Sequence, residues 1–206
     1  GIHPGHCVEM QHTGGPHAGR FQAVVVPIEA CVKRSSTARF ADIEAEVLQL
    51  VARQEPLFVA GQRIAFAGSA LLAQCLDSLV VCDLLPHAVQ SADALLQAAV
   101  YQLSHEEPFL EDTATFEVGD VDGETPACEM TTLPNRMFHE LWDSLIFEGT
   151  VKCDLLNYVE TAMLFSDYGV NTNLITFNRV MLLHGPPGTG KTSICKALAQ
   201  KMSIRL

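Results

Sequence analysis

Val180-Met181-Leu182-Leu183-His184-Gly185-Pro186-Pro187-Gly188-Thr189-Gly190-Lys191-Thr192-Ser193 is the stretch that decides the fold class of this chain. Residues Gly185 to Thr192 fit the pattern G-x-x-x-x-G-K-[ST], and the chemistry accounts for the residues chosen. Glycines let the backbone take a tight turn that aims several amide hydrogens at phosphate oxygens, a concave nest for anions. A helix beginning near Lys191 adds its positive N-terminal end. The Lys191 ammonium can reach the β- and γ-phosphates, and the Thr192 hydroxyl is placed to ligate Mg²⁺, with Ser193 beside it. A fortuitous Gly/Pro loop would not explain Lys191-Thr192.

Such a pattern needs an apolar strand before it and a helix after it. Val180–His184 reads as a five-residue apolar strand, with His184 a packing residue at its end. Downstream, Ile194, Ala197, Leu198 and Met202 fall at helical spacing, Cys195 reads as inert packing, and Ser203–Leu206 as the start of a further strand. The expected class is α/β at this end of the chain.

Upstream, Phe138, Leu141, Trp142, Leu145 and Ile146 fall on one helical face. A second helix is expected from about Lys152 to Phe165, with Leu155, Leu156, Val159, Ala162 and Met163 as its buried stripe. Near the other end, Phe21–Val32 is β-branched and apolar, the signature of a strand. Ser36 or Thr37 then suits a helix N-cap, and Ile43, Val47, Leu50 and Val51 predict a helix to about Arg53. Leu79–Leu84 and Leu95–Leu103 read as strands, joined through Pro86, His87 and Ser91.

Charge divides the chain. The formal net charge is −11, which argues against an electrostatic grip on nucleic acid. No Lys or Arg occurs between Arg63 and Arg136, a span that carries twelve of the 24 acidic residues. Residues 105–132 therefore read as a solvated acidic linker or loop, and a domain boundary is expected there. The organisation expected is a disordered leader over 1–20, an α+β N-terminal partner-binding domain over 21–104, the linker, and the P-loop module over 133–206.

Seven scattered cysteines without a C-x-x-C pair indicate reduced thiols in a cytosolic or nuclear protein. No apolar run approaches the ~20 residues of a membrane span. His3, His6, Cys7, His12 and His17 are metal-capable residues, but their spacing matches no closed four-ligand site.

The wording Gly-Pro-Pro-Gly-Thr-Gly-Lys-Thr resembles the AAA+ ATPases rather than kinases or small GTPases. The flanks narrow this. Leu133-Pro134, Phe138-His139-x-Leu141-Trp142-Asp143-Ser144-Leu145, Leu164-Phe165-Ser166-Asp167, Asn173-Leu174-Ile175-Thr176-x-Asn178-Arg179-Val180 and Cys195-Lys196-Ala197-Leu198-Ala199-Gln200-Lys201 resemble the pachytene checkpoint protein family. That family is also known as the thyroid-receptor-interacting AAA+ ATPase. Toward the N-terminus the resemblance is patchy, chiefly Arg34-Ser35-Ser36-Thr37-Ala38.

The resemblance implies a homo-hexameric remodeller using ATP and Mg²⁺ in the nucleus, on chromosomes and in the cytoplasm. Its implied substrates are HORMA-domain proteins of the spindle checkpoint and meiotic chromosome axis, in some cases presented by an adaptor. In related AAA+ proteins the segment leading into the module lines the adenine pocket. By position Leu145 and Ile146 are candidates here, with core packing as the alternative. The family's catalytic carboxylates, sensor, arginine finger and pore loop come after the P-loop and are not expected within these residues. A binding module without hydrolysis, or another AAA+ protein such as a clamp loader or unfoldase, are the competing readings.

Overall fold

The computed structural model describes residues 23–84, 88–112, 126–170 and 180–205. The expected leader over 1–20 lies outside these, as does Leu206.

In chain order, β1 (Val24–Val32) is followed by α1 (Phe40–Gln54), β2 (Leu57–Val59), α2 (Ala70–Cys75) and β3 (Leu76–Val81). Then come β4 (Ala88–Gln90), β5 (Ala94–Gln102), β6 (Phe109–Asp112) and β7 (Pro126–Met130). Three helices close the chain: α3 (Leu141–Ser144), α4 (Val151–Asp167) and α5 (Lys191–Arg205).

β1 is the central strand of a three-stranded sheet, antiparallel to β3 and parallel to β5. Period-two alternation puts Val26, Ile28, Ala30 and Val32 on one face, all buried. Against that face lie Ile43, Val47, Leu50 and Val51 of α1, which recur at helical spacing, together with Phe58 and Leu72. Pro27 sits where the β3 ladder ends, and its carbonyl accepts from the Cys82 amide at 3.0 Å. Its missing N–H therefore falls beyond the last paired residue of β3. The other face of β1 carries Glu29 and Cys31, also buried.

Several local expectations change. α1 starts at Phe40 with no side-chain cap, because Ser36 Oγ instead accepts from the nearby Ala38 amide. α2 was not legible as a helix, although Ser69 caps it by accepting from the Leu72 amide at 3.4 Å. Part of the acidic stretch expected as a linker is paired: β6 and β7 form an antiparallel ladder from Phe109↔Met130 to Asp112↔Pro126. Backbone bonds from Ser104 N to Pro134 O (2.8 Å) and from Arg136 N to Ser104 O (3.0 Å) close the base of this hairpin.

The expected continuous helix over Phe138–Ile146 is broken. A 3₁₀ turn over Arg136–Phe138 is separated from α3 by Glu140, whose φ of 60° no right-handed helix can carry. Trp142 of α3, Leu155 and Leu156 of α4, and Ile194, Ala197 and Met202 of α5 bury a second core. α5 runs through Ser203 to Arg205, where a new strand was expected. Val180–His184 enters the loop without a strand partner among the described residues. A strand of this kind is held by neighbours on both sides; with none beside it, Val180 is 76% and Leu182 82% exposed. Among the described residues no helix is long and apolar enough to cross a membrane.

Candidate functional site: a P-loop on an anchored helix

The loop from Gly185 to Gly190 is exposed at the N-terminal end of α5, and the bond from Ile194 N to Gly190 O (2.9 Å) opens that helix. Gly188 and Gly190 both hold φ of 80°, a region in which a Cβ meets the following carbonyl. That conformation turns successive amides inward and makes the loop a nest for an anion. No acidic residue lies in the first turn of α5, so nothing there neutralises the unpaired amides of the helix start.

Lys191 Nζ donates to Gly185 O at 3.0 Å, to Pro186 O at 2.6 Å and to Thr189 Oγ1 at 3.3 Å. Thr189 Oγ1 in turn donates to Pro186 O at 3.0 Å. The ammonium thus spans the mouth of the loop, and it can exchange one loop contact for a phosphate oxygen without moving the helix. Thr192 is exposed and Ser193 half-buried in the first turn. Anion-directed amides, one mobile cation and a hydroxyl at the helix mouth fit a phosphate chain carrying a divalent cation. Among the described residues no His, Cys, Asp or Glu cluster could hold a metal by itself.

The two residues proposed for the adenine side part company. Leu145 is half-buried against the second core, whereas Ile146 is 93% exposed. α3 ends at Ser144, so Ile146 leaves the helical face that sequence spacing gave it. Phe147, which spacing did not single out, lies behind the loop. A methyl group added at Gly190 would sit 3.5 Å from its Cζ and 4.0 Å from Leu145 Cδ2. His184 and Cys195 are exposed rather than packed, because the strand before the loop has no neighbour and Cys195 faces outward from α5.

The far end of α5 was not anticipated at all. Lys201 is buried, with Nζ 2.8 Å from Glu29 Oε1 of β1 and 3.0 Å from Asp83 Oδ2 beyond β3. Arg205 Nη2 lies 2.6 Å from the same Asp83 oxygen, and Arg205 Nη1 bonds Glu160 of α4. Trp142 Nε1 donates to Asp83 Oδ1 at 3.0 Å. Burial works against the Lys201 ammonium, yet Glu29 in particular, with Cys82 and Asp83, outweighs it and holds the pKa above the ordinary lysine value. Burial, followed by the Glu29 charge, raises the Cys82 thiol. Next to Lys201 in the chain, Gln200 Oε1 accepts from Asn135 N at 2.8 Å while Gln200 Nε2 donates to Asn135 O at 3.0 Å.

Two family models match separate stretches of the chain. Residues 21–106 match the family model described as TRIP13 N-terminal domain. Residues 181–206 match that of the ATPase family associated with various cellular activities. The chain is 38% identical over 189 residues to pachytene checkpoint protein 2 homolog of Arabidopsis thaliana, covering 92% of this chain and 39% of that protein. To the Homo sapiens protein of the same name it is 40% identical over 193 residues, covering 90% and 43%. A solved structure of C. elegans PCH-2 superposes with a TM-score of 0.63 at 25% identity, covering 87% of this chain and 46% of that one. The chain spans about two fifths of the length of the curated relatives it matches.

Proposed function

The chain belongs, over the length it spans, to the family of the pachytene checkpoint protein 2 homologues, and from that premise we propose that it is the ATP-binding N-terminal portion of a remodeller of HORMA-domain proteins. Its AAA-type module implies nucleotide binding with a divalent metal and suggests an oligomer. The observation that carries the nucleotide reading is the loop itself, with glycines at positive φ, Lys191 across its mouth and an uncompensated helix start.

In this reading the phosphates of ATP lie in the amide nest, with Lys191 turned from Gly185 O or Pro186 O toward the β- and γ-phosphates. Thr192 offers its hydroxyl to Mg²⁺. The metal, when bound, neutralises phosphate charge. Leu145 and Phe147 back the loop, and Leu145 is the side chain of the proposed adenine pair that stays at the site. For the longer protein we propose a homo-hexamer that uses ATP turnover to convert HORMA-domain substrates between conformers, in some cases through an adaptor, in nucleus and cytoplasm. The loop supplies nucleotide binding, and in this family the carboxylates that act on water come after the P-loop, so turnover is assigned to them and not to the loop.

A titration of the 206-residue chain with a fluorescent ATP analogue and Mg²⁺ tests this. Lys191→Ala removes a charge-assisted contact of about 1.5–3 kcal/mol and should weaken binding by roughly 10- to 100-fold. Equal binding by the variant would overturn the assignment of the loop. Steady hydrolysis by the wild-type chain, abolished by Lys191→Ala, would overturn the separation of binding from turnover.

A further inference from the structure

A helix carrying a P-loop at one end is useful only if its other end is fixed, and here the fixing is done by charge. Lys201 and Arg205 lie ten and fourteen residues beyond Lys191, about 15–21 Å along the axis. They meet Glu29 of β1 and Asp83 just after β3, both from the N-terminal sheet region. Glu29 stands on the central strand, at a position whose neighbours on the sheet are Ala99 and Val80. An apolar side chain would fill such a place at no electrostatic cost. Asp83 holds φ of 43°, outside the regions most residues occupy. From that conformation its carboxylate accepts from Trp142 Nε1 and Arg205 Nη2 and pairs with the Lys201 ammonium at 3.0 Å.

Buried ion pairs are weak sources of stability, because desolvation offsets their attraction, and their better attested use is to fix register. The satisfaction of this cluster is incomplete. Arg205 Nε has no hydrogen-bond partner and lies 3.8 Å from Glu29 Oε1, the oxygen that Lys201 Nζ approaches at 2.8 Å. The cluster also borders a cleft of about 820 Å³ that reaches Tyr101 and Trp142. On this side α5 faces that cleft, so the carboxylates act beside Met202 in the second core and the Gln200–Asn135 pair in setting where the end of α5 sits.

We propose that Glu29 and Asp83 are positioning residues for the P-loop: by gripping Lys201 and Arg205 they set the placement of α5, and with it the nucleotide affinity at the far end of the same helix. This rests on the P-loop reading above. It makes the N-terminal domain part of the nucleotide site's machinery, although none of its residues touches nucleotide. Linkage is reciprocal: nucleotide must then tighten the cluster by the same factor by which the cluster tightens nucleotide.

The test uses the 206-residue chain with a fluorescent ATP analogue and Mg²⁺, at a temperature where circular dichroism shows each variant folded. Glu29→Gln and Asp83→Asn keep shape and remove charge. Each should weaken analogue binding three- to tenfold, and Asp83→Asn should also shift the emission of Trp142, the chain's single tryptophan. Folded variants with unchanged affinity, whatever their melting temperatures, overturn the inference, since a merely structural role moves stability alone. If a variant does not fold, hydrogen exchange on the wild-type chain decides. Saturating analogue should slow exchange of amides at 79–84 and 200–205 at least threefold, and unchanged rates overturn the inference. A wild-type chain that binds no analogue fails the P-loop reading first and this inference with it. Binding lost in Lys191→Ala but kept in both carboxylate variants fails this inference alone.

Discussion

Single residues in the loop were legible because their chemistry is local. A glycine at φ of 80° or a lysine aimed across a turn needs only its immediate neighbours. Gly190 gives the sharpest consequence. A methyl group there would meet Phe147 at 3.5 Å, an ordinary contact, so the obstacle to Gly190→Ala is the backbone and not space. Alanine at positive φ costs about 1–2 kcal/mol. The variant should therefore bind the ATP analogue roughly tenfold more weakly while the melting of the N-terminal domain is unchanged. A near-wild-type affinity would mean that the left-handed conformation of Gly190 is not needed for binding. Ile146 was not legible in the same way, because its exposure follows from where α3 stops, and that depends on the backbone of Glu140.

At the scale of elements, period and composition located β1, α1, β5 and α4 to within a few residues, since each buries one continuous stripe against one neighbour. They failed where a partner decides. β6 and β7 pair despite their acid-rich surroundings because the bonds between Ser104 and Pro134–Arg136 hold the base of the hairpin together. Val180–His184 has a strand's composition but no strand beside it among the described residues. α5 buries Gln200 and Lys201 along with its apolar residues, so a hydrophobic stripe alone could not show how it docks. The Asn135–Gln200 pair tests that docking. Asn135 is buried, with its side chain donating to Glu106 O at 3.0 Å and Thr132 O at 3.2 Å. Gln200→Ala would leave the Asn135 backbone N–H buried without a partner, while its carbonyl keeps the Phe138 amide at 3.2 Å, a loss of about 1–3 kcal/mol. Urea denaturation should register this as a lower midpoint, whereas Gln97→Ala, on an exposed position of β5, should stay within about 0.5 kcal/mol. Equal midpoints for the two would remove the paired amides from any account of how α5 is held.

Among the described residues two apolar cores are joined by a polar seam, and a seam of ionisable groups makes stability depend on pH. Three of its groups are shifted the same way. Burial, then the Glu29 charge, raises the Cys82 thiol; burial, then Cys31 and Glu29, raises the Tyr101 phenol; and the carboxylates around Lys201 raise that ammonium in spite of its burial. A group whose folded pKa lies above its unfolded value gives its full stabilisation below the unfolded value and loses it as pH rises toward the folded one. Cys82 acts first of the three, because its ordinary value of 9.0 is below those of Tyr101 at 10.0 and Lys201 at 10.5, and the Cys31 thiol, raised by burial from the same 9.0, acts alongside it. The unfolded thiol ionises while the folded one does not, which removes about 1.4 kcal/mol between pH 8 and pH 10 from Cys82 alone. Thermal melts under reducing conditions should therefore be level from pH 7 to 8.5 and then fall, more steeply above pH 10 as the phenol and the ammonium join. Cys82→Ala should soften the first part of that fall and leave the later part in place. A melting temperature that stays level through pH 10, or a variant that declines in step with wild type, would show that the seam does not hold Cys82 in its neutral form.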